Sequence, residues 1–221
     1  MQIKKYIFLF FFFNTVCIQS IYDQHYGQRI VIIDPAGDAK RTGRRIGDSF
    51  ERGLTLQCAE KIKEMIELAA PHIKVIITRM PGDVVYDLQN ASLANRMEAD
   101  LYINLNFYHS QETKPTVFLY QFSYGADFAC CDQGLALNTY DQAYRINKTV
   151  TDEMVHSMKR FLLQPKYQTL FAVEGVYTLP IKPLIGIVAP SVTIEAGLKN
   201  KELWINYCEP IARGIIEVVN G

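Results

Sequence analysis

The chain has 221 residues, 49% of them hydrophobic, and 23 lysines and arginines balance 23 aspartates and glutamates, so its formal net charge is zero. A balanced chain lacks the basic footprint that tracks a phosphate backbone, and no Lys/Arg cluster marks a membrane surface, so nucleic acid is excluded as an expected partner. The length suits one compact domain with a sizeable core.

Residues 1–5 carry two lysines, and residues 6–13 are an apolar run too short to span a bilayer comfortably, the pattern of a secretory signal peptide. We expect a leader over 1–20 and a single domain over 21–221, exported to a periplasmic or extracellular site. No stable membrane span is expected after cleavage; an uncleaved anchor is the alternative. Lipidation at Cys17 has a poor context in Asn14-Thr15-Val16. The other cysteines are Cys58, Cys130, Cys131 and Cys208. Their spacing fits no zinc ribbon, and in an exported chain some of them can pair. Cys58 falls on a helical stripe with Leu54, Ile62, Met65 and Ala69, and reads as a buried core thiol.

Residues 29–33 read as a strand buried on both faces, 54–70 as an amphipathic helix and 74–78 as a second strand. A shorter helix over 86–98 leads to a third strand at 100–106. This βαβαβ order predicts an α/β fold, an open and mostly parallel sheet with helices on both faces. Beyond it come a strand at 116–122, a long loop at 123–141 and a helix at 142–163. That helix has a stripe of Ile146, Val150, Met154, Met158 and Phe161, with His156 off it on the surface. Strands at 171–179 and 191–196 and a closing helix at 203–219 complete the chain.

Ligands of open α/β sheets bind beyond the carboxyl ends of the strands. Two carboxylates stand out there: Glu51 ahead of the first helix, and Glu195 at the end of the apolar run Val192-Thr193-Ile194. Burying a glutamate in that second setting is costly without a partner, so it lies at the mouth of a site or pairs with a cation such as Arg79 or Arg44. Glu51 alone could simply favour a helix N-terminus, where negative charge gains up to ~1 kcal/mol.

Five short motifs in order carry a resemblance. They are Asp34-Pro35-Ala36-Gly37-Asp38-Ala39 with Gly43, Glu51-Arg52-Gly53-Leu54-Thr55-Leu56, Thr78-Arg79 with Asp83, Ala94-Asn95 with Ala99-Asp100, and Pro190-Ser191 running into Glu195-Ala196-Gly197. Together they resemble the zinc-dependent N-acetylmuramoyl-L-alanine amidases, which cut between the glycan and the stem peptide of bacterial cell wall. The resemblance implies an amidase or phosphorylase/hydrolase-like sandwich. It also implies a zinc held by His, Glu and His, whose water attacks the amide while the last-strand glutamate acts as general base. Zinc chemistry of that kind needs three protein ligands and an open fourth position.

Carried over residue by residue, the family's glutamate ligand falls on Glu51 and its general base on Glu195. Its two histidine positions fall on Gly37 and Asn106. One carboxylate does not hold zinc alone, so the expectation is a degenerate member without a bound cofactor. Its groove would bind peptidoglycan, its stem peptide, an active amidase or a regulator. The alternative is a working amidase with a rearranged set of Asp38, Glu51, His109 and Glu195, an oxygen-rich combination suiting manganese or magnesium. His109 lies three residues past Asn106, roughly 10 Å along an extended strand. His25 and His72 have less claim, lying in the approach to the domain and in a helix–strand connection.

Overall fold

The computed structural model describes residues 27–86, 88–124 and 139–221. The expected leader, Cys17, His25, Cys130, Cys131 and most of the expected loop at 123–141 lie outside them.

Six strands form the main sheet, in the order β4-β1-β5-β8-β6-β7. They are β1 (Arg29–Pro35), β4 (Ile73–Ile77), β5 (Leu101–His109), β6 (Thr116–Phe122), β7 (Ala172–Leu179) and β8 (Ser191–Leu198). Neighbours are parallel from β4 through β8, β6 runs antiparallel to β8, and β7 is parallel to β6. The expected α/β fold, with a mostly parallel sheet and helices on both faces, is what the chain adopts.

The helices are α1 (Glu51–Ala69), α2 (Gln89–Arg96), α3 (Lys148–Leu162) and α4 (Ile205–Asn220). One face of the sheet packs Ile33, Ile103, Leu105, Phe107 and Ile194 against α1, α3 and α4. The other packs Ile32 and Tyr102 against Ala91 and Ala94 of α2 and against Leu184 and Ile187. Each fully buried aliphatic side chain contributes roughly 1.5–3 kcal/mol.

The departures from expectation are local. Helix α1 starts at Glu51 rather than 54, so Glu51 becomes part of the helix. Its buried stripe runs through Leu54, Cys58, Ile62 and Ile66, while Ala69 is exposed. The expected helix at 142–163 begins as a tighter 3₁₀ stretch, Tyr140–Asn147, before α3. Ile146 and Val150 are therefore exposed, and Val155, Met158 and Leu162 supply the buried face. A two-residue-per-strand hairpin, β2 (Arg45–Ile46) and β3 (Ser49–Phe50), occupies what reads as loop ahead of α1. It turns at Gly47, whose φ of +61° suits a residue without Cβ.

Candidate functional site

The carboxyl ends of β1, β5 and β8 lie side by side, which sets the first loop, the β2–β3 hairpin, Asn106 and Glu195 around one region. Asn106 is in register with Glu195 across β5 and β8.

Glu51 is 4% exposed and both of its carboxylate oxygens are taken. Oε2 accepts the main-chain N–H of Arg44 at 2.9 Å, and Oε1 accepts that of Phe107 at 2.9 Å. The side chain thus ties the loop before α1 to the end of β5. Glu195 accepts from Arg44 Nη1 on Oε1 at 2.5 Å and from the Tyr120 hydroxyl on Oε2 at 2.9 Å. Arg44 also reaches the Phe107 carbonyl at 3.4 Å. Burial disfavours the Arg44 charge, but the hydrogen bond and charge of Glu195, helped by Glu51, outweigh it and raise its pKa. Tyr120 is held firmly as a phenol, first by burial and then by its bond to Glu195.

Of the two arginines that could pair with Glu195, the partner is Arg44. Arg79 instead donates to the carbonyls of Pro35, Ala36 and Arg52, clamping the first loop onto the start of α1. Thr55 reinforces that clamp by donating to the Ala36 carbonyl at 2.9 Å.

A cavity of about 370 Å³ is bounded by the first loop, by Glu51, by Asn90, Asn104 and Asn106, and by Val85, Leu88 and Ile185; Arg44 and Glu195 do not line it. Beneath it Asp34 accepts from Thr78, Asn90, Tyr102 and Asn104 at 2.8–2.9 Å. Burial raises the Asp34 pKa against the pull of those donors. Asn106 donates to Asn104 Oδ1 at 2.5 Å, extending the amide network to the cavity wall.

Asp38 also borders the cavity, but its carboxylate is engaged by its neighbours. Its carboxylate accepts from the main-chain N–H groups of Lys40, Arg41 and Val85 and from the Arg41 guanidinium. Burial opposes the charge, yet these donors hold its pKa down at about 2. His109 is exposed at the end of β5, paired in register with Leu198. His72 meets Asn220 at 2.8 Å and His156 contacts the Asp152 carbonyl. Among the described residues no three of His, Cys, Asp and Glu lie close enough to hold a metal ion, so Asp38, Glu51, His109 and Glu195 do not form one set.

Gly37 has φ +78°, and a Cβ there would stand 2.8 Å from the Cβ of Arg52. A Cβ at Gly43 would stand 2.7 Å from Glu51 Oε2. The first loop is therefore pressed against α1 at two glycines, with no room for an imidazole at position 37. Both oxygens of the buried Glu51 carboxylate are spent on main-chain N–H groups, and the Asn106 side chain is an amide bonded to Asn104.

Sequence reading singled out Glu51 and Glu195 but missed Tyr120 and the Asp34 network. Tyr120 reaches Glu195 because β6 lies beside β8, a pairing that skips the intervening β7. The alternation of β6, which puts Phe118 and Tyr120 on the face opposite Val117 and Leu119, was the available signal.

A family model described as N-acetylmuramoyl-L-alanine amidase matches residues 31–203. Among solved structures, the catalytic domain of the amidase CwlV from Paenibacillus polymyxa var. colistinus is similar at TM-score 0.65 and 16% identity, over 87% of this chain and 99% of that one. Ami1 from Mycobacterium smegmatis is similar at TM-score 0.64 and 14% identity, over 87% and 97%. The CwlD amidase from Clostridioides difficile, solved with the GerS lipoprotein, is similar at TM-score 0.61 and 15% identity, over 87% and 99%. At such identities these structures speak for the fold. No curated protein matches. Among the described residues no helix is long and apolar enough to cross a membrane.

Proposed function

The chain belongs to the N-acetylmuramoyl-L-alanine amidase family, and from that we propose that it is a degenerate, exported member that binds the stem peptide of peptidoglycan without hydrolysing it. The observation that carries the reading is the double engagement of the two carboxylates. Glu51 is satisfied by the N–H groups of Arg44 and Phe107, and Glu195 by Arg44 and Tyr120. A guanidinium on Glu195 leaves it poorly placed to take a proton from an attacking water, the task of a general base. Gly37 and Asn106 would stand at the family's two histidine positions, and neither brings a ligand nitrogen of the required kind.

A peptide fits the chemistry of the cavity. Its volume of about 370 Å³ lies in the usual range for ligand pockets, ~300–1,000 Å³. Side-chain amides on one wall can match the N–H and C=O groups of a peptide backbone, and Val85, Leu88 and Ile185 offer apolar contact to short side chains. With the leader expected at residues 1–20, the binding would take place outside the cytoplasm.

The test is a pair of calorimetric titrations of the metal-stripped protein at neutral pH. Titrating zinc should give no tight binding, and titrating a muramoyl peptide should give saturable heat without hydrolysis products. One tight equivalent of zinc, or chelator-sensitive cleavage of the muramoyl–alanine bond, would overturn the proposal.

A further inference from the structure

Cys58 in the middle of α1 and Cys208 near the start of α4 face each other across the interface of these two helices, with their sulfurs 3.4 Å apart. Both side chains are buried, at 0% and 1% exposure. Their other neighbours are carbonyl oxygens at 3.7–3.9 Å, of Trp204 for both thiols and of Cys58 itself for Cys208, so neither thiol is committed to a strong partner. A disulfide needs its sulfurs at ~2.05 Å, so closing the gap takes ~1.4 Å, within reach of small side-chain rotations.

We infer that Cys58 and Cys208 are a disulfide site, closed when the chain folds in the presence of a disulfide donor. The chemistry is thiol–disulfide exchange with a small-molecule or protein disulfide. A thiolate of one cysteine attacks the donor's S–S bond, and the second thiolate displaces the donor thiol from the mixed disulfide. One S–S bond forms and one breaks; two electrons and the two thiol protons pass to the donor, which leaves as two thiols.

Burial decides when this can happen. In the folded protein the donor cannot reach either sulfur, and burial, reinforced by Cys208, pushes the Cys58 thiol well above its usual range, which suppresses the thiolate that must attack. Oxidation therefore belongs to folding, before α1 and α4 close, and the finished bond is equally shielded from reductants.

The bond would brace the candidate site from behind. Helix α1 begins with Glu51, two turns before Cys58. Tyr207, beside Cys208, donates its hydroxyl to the Gly197 carbonyl at 2.5 Å, two residues beyond Glu195 on β8. The bridge thus links α1, which carries Glu51, to α4, whose Tyr207 is hydrogen-bonded to the strand that carries Glu195. It closes a separation of 150 residues, and a loop of that length gains much from cross-linking in the chain-entropy account.

The experiment uses the full chain, reduced and denatured, then refolded with a mixture of reduced and oxidised glutathione. Remaining thiols are alkylated after denaturation and the peptides are mapped by mass spectrometry. The expected result is a peptide pair joined through Cys58 and Cys208, lighter than the two thiol peptides by two hydrogens. Its melting temperature should fall by about 5–15 °C when the protein is folded without the donor. The double variant Cys58→Ala with Cys208→Ala should lose that redox dependence. Complete alkylation of both residues after oxidative refolding, or a bond from either one to Cys130 or Cys131, overturns the inference. The mapping of the unsubstituted chain decides the matter even where the double variant does not fold.

Discussion

Arg44 and Glu195 stand 151 positions apart in sequence, and their side chains meet at 2.5 Å between Nη1 and Oε1. The same arginine's main-chain N–H is held by Glu51. One residue therefore joins both carboxylates, giving each of them a structural task.

The pair is measurable through a double-mutant cycle of Arg44→Met and Glu195→Gln. Because the arginine side chain is 52% exposed, its coupling to Glu195 is expected at ~0.5–1.5 kcal/mol, toward the lower end for a charge pair. Urea unfolding of the four proteins reads it directly. A coupling of zero would mean that the Tyr120 hydroxyl alone positions Glu195.

Glu51 should behave as a brace. Glu51→Ala leaves the N–H groups of Arg44 and Phe107 without their acceptor, and one of them sits in a buried strand. The expected loss is ~2–4 kcal/mol at neutral pH in metal-free protein, with a smaller loss for Glu51→Gln, which retains one acceptor oxygen. Were the residue present only as a metal ligand, its removal would leave the melting temperature of the metal-free protein unmoved.

Asp38 makes a pH-dependent contribution whose sign follows from its folded pKa of about 2, against an ordinary value of 3.8. The unfolded chain takes up the proton first, so the stabilisation is fully present above about pH 4 and is lost as pH falls toward 2. Asp38→Asn should cost ~1–3 kcal/mol at pH 7, and the gap should close between pH 4 and 2. Comparing variant with parent removes the opposite contribution of Asp34, whose raised pKa makes its ionisation destabilising as pH rises. A gap that stays constant down to pH 2 would show that Asp38 acts through shape rather than charge.

Restoring histidines should not restore zinc. In Gly37→His with Asn106→His, the new Cβ at position 37 meets Arg52 Cβ at 2.8 Å on a backbone with φ +78°. A non-glycine residue there is strained by ~1–2 kcal/mol before any collision is counted. Calorimetry should find no tight zinc site, and the melting temperature should fall. Tight binding in this variant would mean that the first loop relaxes away from α1 more easily than its contacts with Arg79 and Thr55 suggest.

The alternation of apolar runs and helical patterns was enough to place the sheet, because buried strands and amphipathic helices leave their periods in the residues themselves. The order of short motifs was likewise enough to indicate the family, and Glu51 and Glu195 could be picked out as carboxylates at strand and helix ends. The fate of those carboxylates was not legible. Whether Glu195 meets Arg79 or Arg44 depends on how the β2–β3 hairpin packs against β5, the neighbour of β8, and Tyr120 reaches it only because β6 inserts between β8 and β7. The same holds for Cys58: helical spacing marked it as buried, but its neighbour Cys208 comes from a helix 150 residues away. Local pattern records which side chains leave water; which of them meet is set by strand order and helix packing, and those are properties of the whole chain.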